Sequence, residues 1–273
     1  CRRKNLPSCL QKCLRAKKIY SSGQTIMSLE RIDKILSHAG FGTRKGIKKL
    51  LRVSTVTVNG KQISDSAFQV NTDTDKIFID EQEVFIEKNI YLMMNKPSNT
   101  VSANKDGLHR TVFDILDEKY RTPWILENLH LIGRLDIDTE GLLLFTTDGS
   151  LTHKITSPKT HFPKTYFVQL AKKISQEEQN TVSQKFKDGL YIPPEGNESE
   201  AFLKPAETVW KSSDECLLTI TEGKFHQVKR MFQAVGLKVL YLKRISMGSL
   251  FLDETLPEGK VRELTQEEVY RLC

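Results

Sequence analysis

The sequence predicts an α+β protein of two domains, a small N-terminal one and a larger C-terminal one. Three observations predict it. Candidate strands and helices follow one another without the regular alternation of a doubly wound sheet. The charge reverses sign within the first third of the chain. At 273 residues and 38% hydrophobic, the chain is long enough for two cores and ordinary in composition for a globular protein.

The net charge of +7 invites a nucleic-acid reading, but its source matters. Residues 1–27 carry seven basic residues and no acidic one, which accounts for all of it. Nucleic-acid binding by the remainder must therefore rest on a local patch. Residues 28–65 supply one, with eight basic residues against three acids, and residues 66–88 then hold six acids against two lysines. The expected layout is a disordered basic tail over 1–27, a small domain over 28–87 and a larger domain over 88–273. The tail lacks an apolar stretch long enough for a signal peptide, although its acid-free composition also suits an organelle-targeting segment. No run approaches the roughly 18 apolar residues of a membrane span, so no membrane partner is expected. Five cysteines, odd in number and irregularly spaced, read as free thiols in a reducing cytoplasm.

The small domain opens with helical spacing at Leu29, Ile32, Ile35 and Leu36, repeated at Ile47, Leu50 and Leu51. Gly40-Phe41-Gly42 separates the two helices, and Thr43 is placed to cap the second. Residues Val53 to Val58 then read as a strand ending at the hairpin signal Asn59-Gly60, and Lys76 to Ile79 as a final strand. In the larger domain Ile90 to Met94 reads as a buried strand running into Asn95-Lys96-Pro97. Further strands are expected over 142–146, 166–170 and 217–221, helices around 111–118, 176–187 and 225–235, and a surface loop over 192–200.

One acidic stretch stands out, Gly133-Arg134-Leu135-Asp136-Ile137-Asp138-Thr139-Glu140-Gly141. If extended, Asp136, Asp138 and Glu140 would face one way and could hold Mg²⁺. The stretch half-matches a calcium loop, but its twelfth position is Thr147 where a Glu is required, so no metal is expected. On the residues alone, these acids read as turn caps. The histidines at 38, 109, 130, 153 and 161 show no metal or triad spacing, and His226 reads as structural.

Two resemblances sharpen this reading. Arg31-Ile32-Asp33-Lys34 through Val56-Thr57-Val58-Asn59-Gly60 resembles the S4 RNA-binding domain. It implies RNA contacts from Arg31, Arg44, Lys45, Lys48 and Arg52. The acidic stretch, continued through Leu142-Leu143-Leu144, closely resembles the signature of RNA pseudouridine synthases. Asn95-Lys96-Pro97, Lys164-Thr165-Tyr166 and Glu222 to Phe232 match the same family in order. The branch that joins an S4 domain to the catalytic domain, and within it the small-subunit ribosomal RNA enzymes, is the most similar.

The resemblance implies a mixed, largely antiparallel catalytic sheet and an isomerisation that breaks the N1–C1′ bond of uridine, turns the base and rejoins it through C5. It assigns Asp136 as nucleophile, Lys229 as its basic partner and Tyr166 as the aromatic packed on the base, with Arg134 and Lys164 on RNA. Nothing is oxidised or hydrolysed, so no cofactor is implied. The implied partner is ribosomal RNA, within an assembling small subunit, and a monomer is expected. A large-subunit target, a non-catalytic assembly factor and a metal-dependent nuclease stay open as alternatives. Asn99 stands where the family often has glycine, which a positive φ would explain.

Overall fold

The computed structural model describes residues 29–72, 74–84, 89–157 and 159–272, and the expected basic tail lies outside them. The chain divides between Lys88 and Asn89 into two units, each with its own core.

The first unit runs β1 (Leu29–Arg31), α1 (Ile32–His38), α2 (Arg44–Val53), β2 (Val56–Val58), β3 (Lys61–Gln62), β4 (Gln69–Asn71), β5 (Ile77–Ile79) and β6 (Gln82–Val84). Leu29 does not join the first helix. It pairs with Asn71 across β1 and β4, and the helix begins only after Ile32 N–H donates to Phe68 O at 2.8 Å. Thr43 caps α2 by accepting from Gly46 N–H at 3.2 Å. That helix extends to Val53, so the following strand is shorter than the β-branched run suggests. Ser54 N–H still donates to Leu50 O at 2.9 Å, and this helical bond overrides the local β propensity. Asn59 (φ 49°) and Gly60 (φ 79°) both take the positive φ of a two-residue hairpin turn. β5 is not the last strand, because β6 pairs with it in the order β3-β2-β5-β6. Ile32, Leu36, Ile47, Val56, Val70 and Ile77 are fully buried at the centre.

The second unit continues with β7 (Tyr91–Lys96), α3 (Pro123–Asn128), β8 (His130–Ile132), β9 (Glu140–Thr146), α4 (Gly149–Thr156), β10 (Lys164–Leu170), α5 (Gln176–Asp188), β11 (Tyr191–Ile192), β12 (Ala201–Phe202), β13 (Glu207–Trp210), β14 (Glu215–Ile220), α6 (Gln227–Ala234), β15 (Val239–Met247), β16 (Leu250–Phe251), β17 (Val261–Glu263) and α7 (Gln266–Leu272). Nine of the described strands form one sheet, with β13-β14-β10-β15-β9-β7-β17 as its path, β8 on β9 and β16 on β15. The sheet is mixed and mostly antiparallel; β9 and β15 are its parallel neighbours among the described strands. Both faces are covered. Leu143 and Phe145 of β9 join a cluster with Val168, Phe186, Leu218 and Phe232, while Leu142 and Leu144 join Met93, Ile132 and Met247 on the other side. Such two-sided burial explains the continuous apolar run Leu142 to Phe145.

The helix expected over 111–118 is absent. Asp114 accepts from both Thr111 N–H (2.8 Å) and Thr111 Oγ1 (2.9 Å), and this local turn displaces the helix, although Val112, Phe113 and Leu116 are buried all the same. α5 starts at a capping box between Ser175 and Glu178. No described helix is long and apolar enough to cross a membrane.

Candidate active site

Asp136 sits in the loop that joins β8 to β9. Gly133 (φ 76°) opens the loop, and Thr139 N–H closes a turn on Asp136 O at 3.1 Å. The turn is pinned from below by two residues. Ser102 Oγ donates to Leu135 O at 2.7 Å and accepts from Leu135 N–H at 3.1 Å. Lys96 is fully buried and its Nζ donates to Thr139 O (2.8 Å), Ile137 O (3.2 Å) and Pro97 O (3.0 Å). Burial pushes the Lys96 ammonium down to about 8, with the charges of Asp138 and Asp136 pulling the other way.

The loop is therefore not extended, and the three acids of the motif separate. Lys229, from the first turn of α6, stands 3.2 Å from Asp136 Oδ2 and 2.5 Å from Asp138 Oδ1. Glu140 instead accepts from Tyr241 Oη at 2.6 Å, on β15. Partial burial opposes both charges of the Lys229 cluster, but their attraction prevails: Asp138 is held below the usual carboxylate range and Lys229 above the usual lysine range.

The other oxygen of Asp136 faces a second group. His226 Nε2 is 4.0 Å from Asp136 Oδ1, and His226 Nδ1 is 3.1 Å from Glu195 Oε1. His226 is the N-cap of α6 and holds φ 47°, while Phe225 stacks on its ring with centroids 3.7 Å apart. Arg230, one turn further on and almost fully buried, donates to Pro193 O at 2.5 Å and Ser199 O at 3.2 Å, and so ties loop 193–200 to α6.

Tyr166 lies mid-sheet on β10, 8% exposed, opposite Leu218 of β14 and Arg244 of β15. Arg244 is buried and bridges this strand to the Asp136 loop: Nε donates to Leu142 O at 2.8 Å and Nη1 to Arg134 O at 3.4 Å. Gly141 allows that approach, since a Cβ there would lie 2.3 Å from Arg244 O. Arg134 is exposed beside an open depression that Ser102, Asn104 and Thr152 also line. Lys164 turns inward, donating to Phe162 O at 3.1 Å, and burial beside Arg244 pushes it down to about 8.

In the first unit Arg44, Lys45, Lys48 and Arg52 are all exposed on α2. Arg31 is exposed too, but its guanidinium forks onto Asp33 at 2.7 and 3.1 Å. His226, Glu195, Lys96 and Arg244 were not expected as site residues. The one signal for Lys96 is a lysine ending an apolar run; nothing in the sequence joins Glu195 to a histidine 31 positions away.

A loop carboxylate paired with a lysine beside a mixed sheet, with a separate N-terminal unit that exposes a basic helix, suits a nucleic-acid-modifying enzyme. Comparison with known proteins agrees. The model of the RNA pseudouridylate synthase family matches residues 90–234, and that of the S4 domain matches residues 30–76. The chain belongs to the RNA pseudouridylate synthase family. It is 43% identical over 248 residues to an uncharacterised RNA pseudouridine synthase of Bacillus subtilis, covering 89% of this chain and 98% of that protein. It is 44% identical over 241 residues to ribosomal small subunit pseudouridine synthase A of Vibrio parahaemolyticus, covering 88% of this chain and 97% of that one. A solved crystal structure of a pseudouridylate synthase, 37% identical, superposes with a TM-score of 0.61 over 89% of this chain and 99% of that one.

Proposed function

We propose that this enzyme isomerises a uridine of small-subunit ribosomal RNA to pseudouridine, with Asp136 as nucleophile. The observation that carries the reading is the Lys229 ammonium 3.2 Å from the Asp136 carboxylate, which sets a cation beside the group that would attack C1′. Tyr166 packs against the extracted base, and Arg134 enters the space the base vacates. The exposed basic residues of α2 bind RNA phosphates, and residues 88–273 act as the catalytic domain. The small-subunit assignment is supported by the name of the Vibrio relative. The substrate is an assembling particle, in which unpaired bases are cheapest to extract, and the enzyme acts as a cytoplasmic monomer.

The test is tritium release from RNA labelled at uridine C5, comparing small- and large-subunit substrates. Wild type releases tritium from the small-subunit substrate, and Asp136→Asn releases none while still binding RNA. Release from the large-subunit substrate alone would move the target, and release by the variant would remove Asp136 from the chemistry.

A further inference from the structure

Rejoining the base through C5 leaves that carbon carrying both its hydrogen and the new bond to C1′. The proton must leave C5 before the ring regains its conjugation, and N1 must gain one. The reaction therefore needs a proton acceptor beside the nucleophile, a requirement that Asp136 and Lys229 do not meet. Once C5 is joined to C1′ the Asp136 carboxylate has left that carbon but is ion-paired with Lys229, and Lys229 holds its protons between two carboxylates.

The structure has an unassigned group at that place. His226 Nδ1 is 3.1 Å from the Glu195 carboxylate, which can only accept, so Nδ1 is the donor of that contact. Nε2 faces Asp136 Oδ1 at 4.0 Å. That gap is too long for a hydrogen bond, and the His226 side chain remains 30% exposed. The backbone supplies a separate observation. His226 holds φ 47°, a left-handed conformation uncommon for residues with a side chain, which fixes where the ring leaves the backbone at the start of α6. Phe225 stacked on one ring face and Glu195 at Nδ1 fix its direction.

We propose, on the reading of Asp136 given above, that His226 is the base that takes the C5 proton, oriented by Glu195. In this step the C5–C1′ bond has formed and the N1–C1′ bond has broken. The electron pair of C5–H returns to the uracil ring, the proton passes to His226 Nε2, and N1 takes up a proton from the imidazolium, directly or relayed through a water. Glu195 stabilises the imidazolium, and the ring ends neutral as it began. Glu195 is a positioning residue, since it acts through His226. Tyr166 is the competing candidate, but it lies mid-sheet at 8% exposure, whereas His226 stands 4.0 Å from Asp136 and is oriented by Glu195.

The test is single-turnover isomerisation with excess enzyme on RNA carrying hydrogen or deuterium at uridine C5. His226→Gln slows product formation about 10²-fold and introduces an isotope effect larger than that of the wild type, because proton removal becomes limiting. Glu195→Gln shows a smaller loss with the same isotope signature. A His226→Gln rate equal to wild type, or a slower rate without an increased isotope effect, would overturn the proposal and leave His226 a structural cap. If His226→Gln does not fold, as judged by circular dichroism, Glu195→Gln decides by the same isotope criterion. A wild type that releases no tritium, or an active Asp136→Asn, would instead overturn the reading of the reaction itself.

Discussion

At the residue scale the site is a row of charges. Lys229 joins Asp136 to Asp138, and His226, held on Glu195, stands 4.0 Å from the other oxygen of Asp136. The depressed Asp138 carboxyl and the raised Lys229 ammonium keep that pair charged across neutral pH: it is lost in acid as Asp138 protonates and in strong base as Lys229 deprotonates. Lys229→Met leaves two neighbouring carboxylates without a cation. Its single-turnover rate is expected to fall about 10²-fold, with RNA affinity little changed, and Lys229→Arg to recover part of the loss. Rapid-quench assays at saturating enzyme check both, and an unchanged Lys229→Met rate would break the link. The ordered motifs made the pairing of Asp136 with Lys229 legible, and Asn99, tolerable in place of glycine if its φ is positive, holds 59°. His226 and Glu195 were not legible. Their meeting depends on loop 193–200 folding onto α6 through Arg230, an arrangement with no sequence pattern.

At the element scale the sheet hides its most informative strand. β15 spans nine residues, yet Lys243 and Arg244 make it look like surface, because a buried arginine resembles an exposed one in a hydropathy pattern. The 111–118 segment misleads in the opposite direction, its helical apolar spacing broken by the Thr111–Asp114 turn. α7 is anchored by Arg262, which forks onto Glu268 at 2.7 and 2.8 Å and reaches Asp253 at 2.7 Å. The hydrogen bonds from Arg262 pull Glu268 down to about 2, against the opposing effect of burial. A carboxyl depressed on folding contributes stability that is complete above its unfolded value, near 4.5, and is lost as the pH falls towards 2. Arg262→Met is therefore expected to lower Tm by about 4–8 °C at pH 7, with the gap to wild type closing as the pH falls from 5 to 2. Thermal unfolding followed by circular dichroism across that range measures it; a gap that persists at pH 2 would assign the loss to packing.

At the scale of the whole molecule, binding and chemistry are distributed between two units of different character. The α+β class was legible because the irregular order of strands and helices survives errors in any one of them. RNA affinity is expected to depend on α2, whose Arg44, Lys45, Lys48 and Arg52 are exposed, more than on Arg31, whose fork is occupied by Asp33. Lys45→Ala and Lys48→Ala should each weaken binding. Each should also flatten the plot of log affinity against log salt by about 0.7–0.9 for every phosphate left without its cation. Filter binding across a salt series tests this, and unchanged slopes would place the RNA-binding surface elsewhere. The parallel pairing of β9 with β15 has a further consequence, one of timing. It joins Glu140 to Lys243 and Gly141 to Arg244, so the strand leading out of the Asp136 loop gains this neighbour only after about a hundred more residues have been made. During synthesis the chain completes its S4 unit early and the Asp136 loop late. On the proposed roles of the two units, a nascent chain is expected to engage RNA long before it is able to modify it.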